Sequence, residues 1–189
     1  MKKQANDKIL TTKKIEEEIK RVTYKSRYNK LIKNTVYSLI TILAISILIA
    51  TLFLPVLQIN ESSMDPTYKK GDIVVLIKTQ NVTSGDVIAF YHGNKVLVKR
   101  VIATSGSFVN IDKSGNVYVD GELLKEDYVS EIYLGETDVE FPCQVENESY
   151  FVLSDNRNNI NDSRYSEIGN VSKENVIGKI IFRVWSTKK

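Results

Sequence analysis

The sequence predicts a mainly β protein, in which an N-terminal transmembrane helix is followed by an antiparallel β-sheet domain with a smaller β lobe. Two observations support this fold class. No charged residue occurs from Asn34 to Asn60, and that interval is rich in Ile and Leu. After Ile59 the pattern changes to short runs of Val, Ile and Tyr separated by turn residues, which is typical of antiparallel sheets.

The N-terminal part is predicted to consist of a basic tail, residues 1–34, and a membrane span, residues 35–58. The tail carries 11 basic and 4 acidic side chains, whereas the remaining 155 residues carry 15 basic and 19 acidic ones. An uncharged run of this length crosses roughly 30 Å of hydrocarbon as a helix. The positive-inside rule predicts a single-pass cell-membrane protein with a cytoplasmic tail and an extracytoplasmic C-terminal domain, because basic residues lie immediately before the span and Glu61 and Asp65 follow it. The basic residues are Lys20, Arg21, Lys25, Arg27, Lys30 and Lys33.

A cleaved secretory signal is the alternative interpretation of this segment. Such a signal has an apolar core of about 7 to 15 residues nearer the terminus, which favours the anchor. Within the tail, Ile15 to Tyr28 is either a basic helix at the inner membrane surface or a solvated, partly disordered stretch.

Residues 59–189 are predicted to form the exported β domain. Turn residues such as Ser84-Gly85-Asp86 separate its strands, and His92-Gly93-Asn94 fits a hairpin. The predicted strands are Asp72 to Ile77, Asp86 to Tyr91, Val96 to Ala103, Val109 to Ile111, Val117 to Val119, Tyr150 to Leu153 and Ile180 to Trp185. Frequent Asp and Glu and weak strand signals predict the smaller lobe near residues 125–149.

The single Cys and the single His restrict the possible chemistry. Cys143 has no partner for an internal disulfide, and His92 cannot by itself build a usual metal site, so we expect no metal and no cofactor. The net charge of +3 does not indicate a nucleic-acid partner, because the basic excess precedes the span and the exported part is acidic.

Three polar clusters in the exported part are candidates for chemistry. The first, Ile59 to Tyr68, contains adjacent serines, and its alternative interpretation is an interfacial loop. The second, Lys95 to Ala103, embeds Lys99 on one strand face and Arg100 on the other among apolar neighbours. An edge strand protected by its charges is the alternative there. The third, Ser154 to Arg164, is either a long polar loop or a self-braced network.

A serine, a lysine in an apolar strand and the near absence of histidine point to a Ser-Lys dyad. Serine is a poor nucleophile until a base removes its proton, and lysine is a base only when neutral. The lysine pKa of about 10.4 would have to fall by about 2 to 3 units. Burial among Leu97, Val98 and Val101 is the available cause.

Four short motifs occur in order along the exported part, and together they resemble those of the type I signal peptidases. The nucleophile motif Ser-Met-x-Pro-Thr matches Ser63 to Thr67, and the next matches Gly71 to Val75. The lysine motif matches Lys99 to Ile102, and the last matches Asp155 to Arg157 and Asp162 to Arg164. The resemblance is to the short, single-span form typical of Gram-positive bacteria and covers about Val36 to Trp185.

The resemblance implies a membrane-anchored serine endopeptidase that removes signal peptides from exported preproteins, with two antiparallel β-sheet domains. Signal peptides and the lipid bilayer would be its partners. Ser63 would be the nucleophile, with its backbone N–H as one oxyanion donor, and Lys99 the general base. Residues that would brace the site are Arg100, Asp155, Asn156, Asp162, Ser163 and Arg164, and those that would line the substrate pockets are Ile59, Met64, Tyr68, Leu97 and Val98.

Two positions depart from the family pattern at the site itself. Glu61 stands where the family has a Ser or Gly that completes the oxyanion hole, so we expect Ser62 to supply the missing hydroxyl while Glu61 turns to solvent. Ile160 stands where the family has a Ser that hydrogen-bonds the lysine, so we expect Ser163 or Asn159 to orient Lys99.

Further departures indicate a divergent member. Ser154 replaces a usual Gly, and Tyr68 replaces a usual Leu, which would crowd the pocket and narrow the set of substrates. An alternative function is a catalytically weak or inactive chaperone for surface protein or pilus assembly. A self-cleaving Ser-Lys regulator is a third hypothesis, but it would ordinarily be cytoplasmic and carry a DNA-binding module, which the basic tail does not resemble.

Overall fold

The structure is a computed structural model that describes residues 2–79, 81–159 and 161–187. It divides into two units, Met1–Thr51 and Leu52–Lys189. A single helix, α1 (Lys2–Phe53), accounts for the first unit, and β-strands dominate the second. The mainly β fold with a long N-terminal helix is confirmed.

α1 contains one segment, Lys14–Leu52, that is long and apolar enough to cross a membrane. Threonine hydroxyls in it donate to carbonyls of the preceding turn, as Thr41 Oγ1 does to the Tyr37 carbonyl at 2.8 Å. Such bonds satisfy hydroxyl groups where water is absent. By length and composition the helix is consistent with a transmembrane anchor, a test that a signal sequence also passes.

The helix ends earlier than the predicted span of residues 35–58. It stops at Phe53, and Val56–Gln58 is a β-strand. Pro55 explains the difference, because proline lacks an N–H group and disfavours helical backbone at the residue before it. The Pro55 carbonyl instead accepts a 2.9 Å bond from the Leu76 N–H. At the other end the helix extends through Ile15 to Tyr28, so the helical alternative holds there.

Eleven strands follow α1 in the described part of the chain. They are β1 (Val56–Gln58), β2 (Ile73–Ile77), β3 (Val87–His92), β4 (Lys95–Thr104), β5 (Phe108–Ile111), β6 (Val117–Val119), β7 (Glu122–Leu123), β8 (Cys143–Gln144), β9 (Ser149–Leu153), β10 (Val171–Ser172) and β11 (Val176–Trp185). A 3₁₀ turn, Lys173–Asn175, separates β10 from β11. All seven predicted strand regions coincide with observed strands.

The larger sheet has the order β1-β2-β11-β3-β4-β9-β10, and every neighbouring pair in it is antiparallel. The last strand in sequence, β11, therefore lies between β2 and β3. Gly178 permits this insertion, since a Cβ there would lie 2.6 Å from the Ile77 carbonyl oxygen.

The smaller sheet has the order β7-β6-β5-β8. Its strands begin at Phe108 and overlap the lobe predicted near residues 125–149 only at β8. The interval from Lys125 to Pro142 contains turns, bends and irregular chain and has no strand. The acidic residues of that interval therefore belong to a connecting segment. Three of the four strands of the smaller sheet precede this segment.

Three buried apolar clusters share strand β4. Val98 belongs to the first, with Ile59 and Met64, whereas Leu97 and Val101 belong to the second. The third, which includes Ile102 and Ala103 of β4, packs the smaller sheet. Because neighbouring strand residues point to opposite faces, β4 directs Lys99 and Arg100 into different surroundings.

Candidate active site

Lys99 lies in the middle of β4, opposite Ile88 of β3. It shares its strand face with Leu97 and Val101, which are buried in one apolar cluster. The lysine itself is fully buried, and its Nζ has no hydrogen-bond partner in the described part of the chain. A buried ammonium without hydrogen bonds is costly, so this setting favours the neutral amine.

Ser63 lies in the loop between β1 and β2. Two backbone bonds close this loop at its base, from the Ile59 N–H to the Asp72 carbonyl at 2.9 Å and from the Gly71 N–H to the Ile59 carbonyl at 2.7 Å. Met64 is fully buried and fixes the loop to the core, and Ser63 is only 2% exposed. The Ser63 carbonyl accepts a 3.0 Å bond from the Asn156 N–H, which joins the loop to the segment after β9.

Glu61 connects the serine loop to the lysine strand. Its Oε2 atom lies 3.8 Å from Lys99 Nζ. Both atoms are buried, and neither has a hydrogen-bond partner among the residues that the structure describes. The expectation that Glu61 turns to solvent is therefore wrong for this oxygen. Electrostatic attraction to Lys99 favours this position of the Glu61 carboxylate. The sequence spacing alone does not show that the two side chains meet.

Two opposing influences act on the pKa of Lys99. Burial lowers it from the ordinary value, because a charged amine loses its hydration inside the protein. The Glu61 carboxylate acts in the opposite sense, as Asp162 and Asp155 do, whereas Arg164 adds to the lowering. Burial is the largest of these influences, so the pKa of Lys99 is lowered overall.

Arg100, the next residue of β4, is held on the opposite face. Its Nε and Nη2 atoms donate to the two carboxylate oxygens of Asp155 at 2.8 and 2.5 Å, and Nη1 donates to the Gly85 carbonyl at 2.8 Å. The guanidinium also stacks 3.9 Å from the centre of the Tyr128 ring. Thr67 of the serine loop donates to the same carboxylate at 2.5 Å. Asp155 therefore ties the serine loop to the lysine strand.

Asp162 and Arg164 form a second buried pair. Arg164 donates from Nε and Nη2 to the two carboxylate oxygens of Asp162, both at 2.9 Å, and the Ser154 N–H donates to Asp162 at 3.0 Å. Arg164 also donates to the carbonyls of Leu134 and Asn159, at 2.7 and 2.8 Å. The pair fixes the segment after β9, as expected for bracing residues.

Neither substitute proposed for orienting Lys99 contacts its Nζ. The Ser163 hydroxyl donates to the Gly169 carbonyl at 2.6 Å and accepts from the Val152 N–H at 2.9 Å. Asn159 accepts from the Asn161 N–H through its side chain. Both polar groups are thus engaged in fixing the local backbone. Ile160, the other departure, lies outside the described residues.

Four of the five expected pocket residues lie together. Ile59, Met64 and Val98 share one buried cluster, and Tyr68 packs against it half-buried. Leu97 lies in the neighbouring cluster, because it points to the other face of β4. It lines a separate cavity of about 320 Å³, together with Glu61.

Ser62, the expected second oxyanion donor, has an exposed side chain. Its carbonyl accepts from the Asp65 N–H at 3.2 Å and from Asn156 Nδ2 at 3.3 Å. These bonds fix the backbone beside Ser63. The role of the Ser62 hydroxyl as an oxyanion donor stays a prediction.

Asp72 is a structural residue whose role the sequence alone did not show. Its fully buried carboxylate accepts from the Lys69 and Thr187 N–H groups, at 3.0 and 2.9 Å, and from Arg183 at 2.8 Å. Although burial opposes ionisation, these donors lower the pKa of Asp72. The position of Asp72 directly after Gly71 in a family motif was the available signal.

Comparison with known proteins identifies the family of this chain. The protein-family model for signal peptidase, peptidase S26, matches residues 32–185. The probable signal peptidase I-2 of Synechocystis sp. is 30% identical over 160 residues, which cover 78% of this chain and 71% of that relative. The inactive signal peptidase IA of Staphylococcus aureus is 26% identical over 161 residues, covering 80% of this chain and 91% of the relative.

A solved structure of a signal peptidase I from Enterococcus faecalis aligns with 27% identity and a TM-score of 0.45, over 55% of this chain and 100% of that one. The family match alone spans well over half of the sequence. The chain therefore belongs to the signal peptidase family, peptidase S26.

Proposed function

We propose that this protein is a serine endopeptidase that removes signal peptides from exported preproteins, with Ser63 as nucleophile and Lys99 as general base. The observation that carries the proposal is the fully buried Lys99, whose Nζ lacks a hydrogen bond among the described residues. Burial lowers the pKa of Lys99 from its ordinary value, which is the direction of change that a lysine base requires. Family membership supports the same reaction.

The proposed reaction has two stages. Neutral Lys99 accepts the hydroxyl proton of Ser63 as its oxygen attacks the scissile carbonyl, and the lysine then donates that proton to the leaving amine. Water next hydrolyses the acyl-enzyme, with Lys99 again as the base. The Ser63 N–H donates to the oxyanion during both stages.

The fixed contacts around the site support this assignment. Asp155 binds both Thr67 and Arg100, so the serine loop and the lysine strand are held by one carboxylate. The Asn156 N–H bond to the Ser63 carbonyl fixes the nucleophile's own backbone. Catalytic groups held in this way need little reorganisation when substrate binds.

We further propose that α1 anchors the protein in the cell membrane, with its basic N-terminal part in the cytoplasm and the β domain outside. The charge distribution on either side of the span supports this orientation. The β domain also exposes apolar side chains on two strands that flank β2, among them Val56 of β1 and Phe182, Val184 and Trp185 of β11. Aromatic and aliphatic groups of this kind suit contact with a lipid surface.

The substrates are proposed to be signal peptides with small residues before the cut, in a narrowed set. Tyr68, half-buried against Ile59, Met64 and Val98, supports the narrowing, because its ring occupies space beside the proposed pocket. Equal cleavage rates on a varied panel of preproteins would refute this part of the proposal.

The direct test is cleavage of preproteins by the full chain in lipid nanodiscs. We expect Ser63→Ala and Lys99→Ala to lower kcat/KM by about 10²- to 10⁴-fold. Lys113→Ala is the control, because Lys113 is exposed in the turn between β5 and β6, and it should retain activity. If the wild type cleaves no substrate better than Ser63→Ala, the peptidase assignment fails.

One observation favours a second candidate function, a catalytically inactive chaperone for surface protein or pilus assembly. The Glu61 carboxylate beside Lys99 opposes formation of the neutral base. A chaperone would bind its client equally well in the wild type and in Ser63→Ala, and neither would cleave it. Cleavage by the wild type alone would exclude this candidate as the main activity.

A further inference from the structure

The contact between Glu61 and Lys99 differs from the other buried ion pairs of the β domain. The 3.8 Å separation of Oε2 and Nζ is too long for a hydrogen bond, whereas Arg100 and Arg164 contact their carboxylates at 2.5 to 2.9 Å. The side chain of Glu61 is 37% exposed, and that of Lys99 is 0% exposed. The pair therefore joins a fully buried amine to a glutamate side chain that is partly accessible to solvent.

The other charges around Lys99 already have close partners of their own. Asp162 is held by both arms of Arg164, and Asp155 by both arms of Arg100. In the described residues, Glu61 has an ion pair with Lys99 alone. Movement of Glu61 would therefore change the charge felt by Lys99 without breaking any other ion pair.

Glu61 also has space into which it can move. It lines the cavity of about 320 Å³ together with two groups that can carry positive charge, His92 and Lys95. Glu167 and Tyr165 line the same cavity and are its other titratable groups. A rotated Glu61 carboxylate would thus remain close to cations after leaving Lys99, which lowers the cost of the movement.

We propose that Glu61 makes a reversible inhibitory contact, in which its carboxylate increases the protonated fraction of Lys99 until a bound preprotein moves that carboxylate into the neighbouring cavity. This inference rests on the proposed peptidase function, since it assigns a regulator to the proposed base. Glu61 would act through Lys99 and is a positioning residue. Its sequence position, two residues before Ser63, places it where a substrate backbone would approach the nucleophile.

The test is a direct titration of Lys99 in the full chain, in nanodiscs, with ¹³C-labelled lysine. Lys99→Arg identifies the resonance by removing it. We expect Glu61→Gln to lower the pKa of Lys99 by about one unit, because a neutral amide no longer favours the ammonium. Glu167→Gln is the matched control, since it removes the same charge from the same cavity and should leave the titration unchanged. If Glu61→Gln does not fold, Glu61→Ser is expected to give the same shift.

Release by substrate is tested in the Ser63→Ala background with a saturating signal peptide. The peptide should lower the pKa of Lys99 more in Ser63→Ala than in Ser63→Ala/Glu61→Gln, because only the former has a carboxylate to displace. Equal titrations of wild type and Glu61→Gln, or equal peptide effects in both backgrounds, would overturn the inference. Failure of the wild type to cleave would instead refute the proposed function, because the Lys99 titration does not depend on cleavage.

Discussion

Lys99 and Arg100 are neighbours in one strand, yet the two faces of β4 surround them in opposite ways. Arg100 donates to both oxygens of Asp155 and to the Gly85 carbonyl. Lys99 is more deeply buried and has no hydrogen-bond partner within the described residues. The comparison shows that one strand can present a fully bonded cation on one face and a buried amine without hydrogen bonds on the other.

The largest change in the free energy of unfolding is expected for substitution of Arg100, whose guanidinium is fully hydrogen-bonded. Arg100→Met should lower the free energy of unfolding by about 3 to 5 kcal/mol, because it leaves the buried Asp155 carboxylate without its cation. Urea unfolding of the full chain in detergent measures this change. A loss under about 1 kcal/mol would show that solvent or Thr67 compensates, and the contrast between the two faces would then be weaker than the geometry suggests.

The matched substitution on the other face of β4, Lys99→Met, should change the free energy of unfolding in the opposite direction. Lys99→Met removes a buried amine without hydrogen bonds and replaces it with an apolar side chain of similar length. We therefore expect the free energy of unfolding to rise by about 1 to 2 kcal/mol while cleavage is lost. The same urea experiment, paired with a cleavage assay, checks both outcomes. Destabilisation by this variant would mean that the contact with Glu61 contributes more than burial costs.

The smallest expected effect is the pH dependence of the difference in unfolding free energy between the wild type and Lys99→Met. Burial lowers the pKa of folded Lys99 below its ordinary value of 10.5. Below the folded pKa, Lys99 is protonated in both states and its destabilising effect is fully present. As pH rises from that pKa toward 10.5, the unfolded chain retains the proton that the folded protein has released, so the wild type gains stability relative to Lys99→Met. Unfolding measured at several pH values should show the difference shrinking, and a constant difference would contradict the lowered pKa.

The strands with strong alternation or high β-propensity could be predicted from the sequence, but the shortest ones could not. β7, β8 and β10 have two residues each, too few to show a period of two. The strand β1 was hidden because Val56–Gln58 continues the apolar composition of the helix before it. There, Pro55 changes the backbone conformation while the hydropathy stays the same.

At the site, the strand pattern predicted the burial of Lys99, and the family resemblance assigned a bracing role to Arg100, Asp155 and Arg164 without naming their partners. It did not predict the direction of the Glu61 side chain. That direction depends on how a loop before β2 lies against β4, which sequence neighbours do not determine. The expectation that the Ser163 hydroxyl orients Lys99 failed for a similar reason. The sequence does not show that the Gly169 carbonyl lies close enough to accept a hydrogen bond from that hydroxyl.

The position of β11 in the larger sheet has a consequence for the order of events during synthesis. β11 is synthesised after the other strands of this sheet. It nevertheless lies between β2 and β3, which precede it by about a hundred residues in the sequence. The hydrogen bonds from Thr67 and Arg100 likewise cannot form until Asp155 has been synthesised, 88 and 55 residues further along the chain. Long-range pairing of this kind is slow and comes late in folding. A nascent chain that already contains Ser63 and Lys99 would therefore lack their surrounding contacts until the segment that contains Asp155 and then β11 have been synthesised.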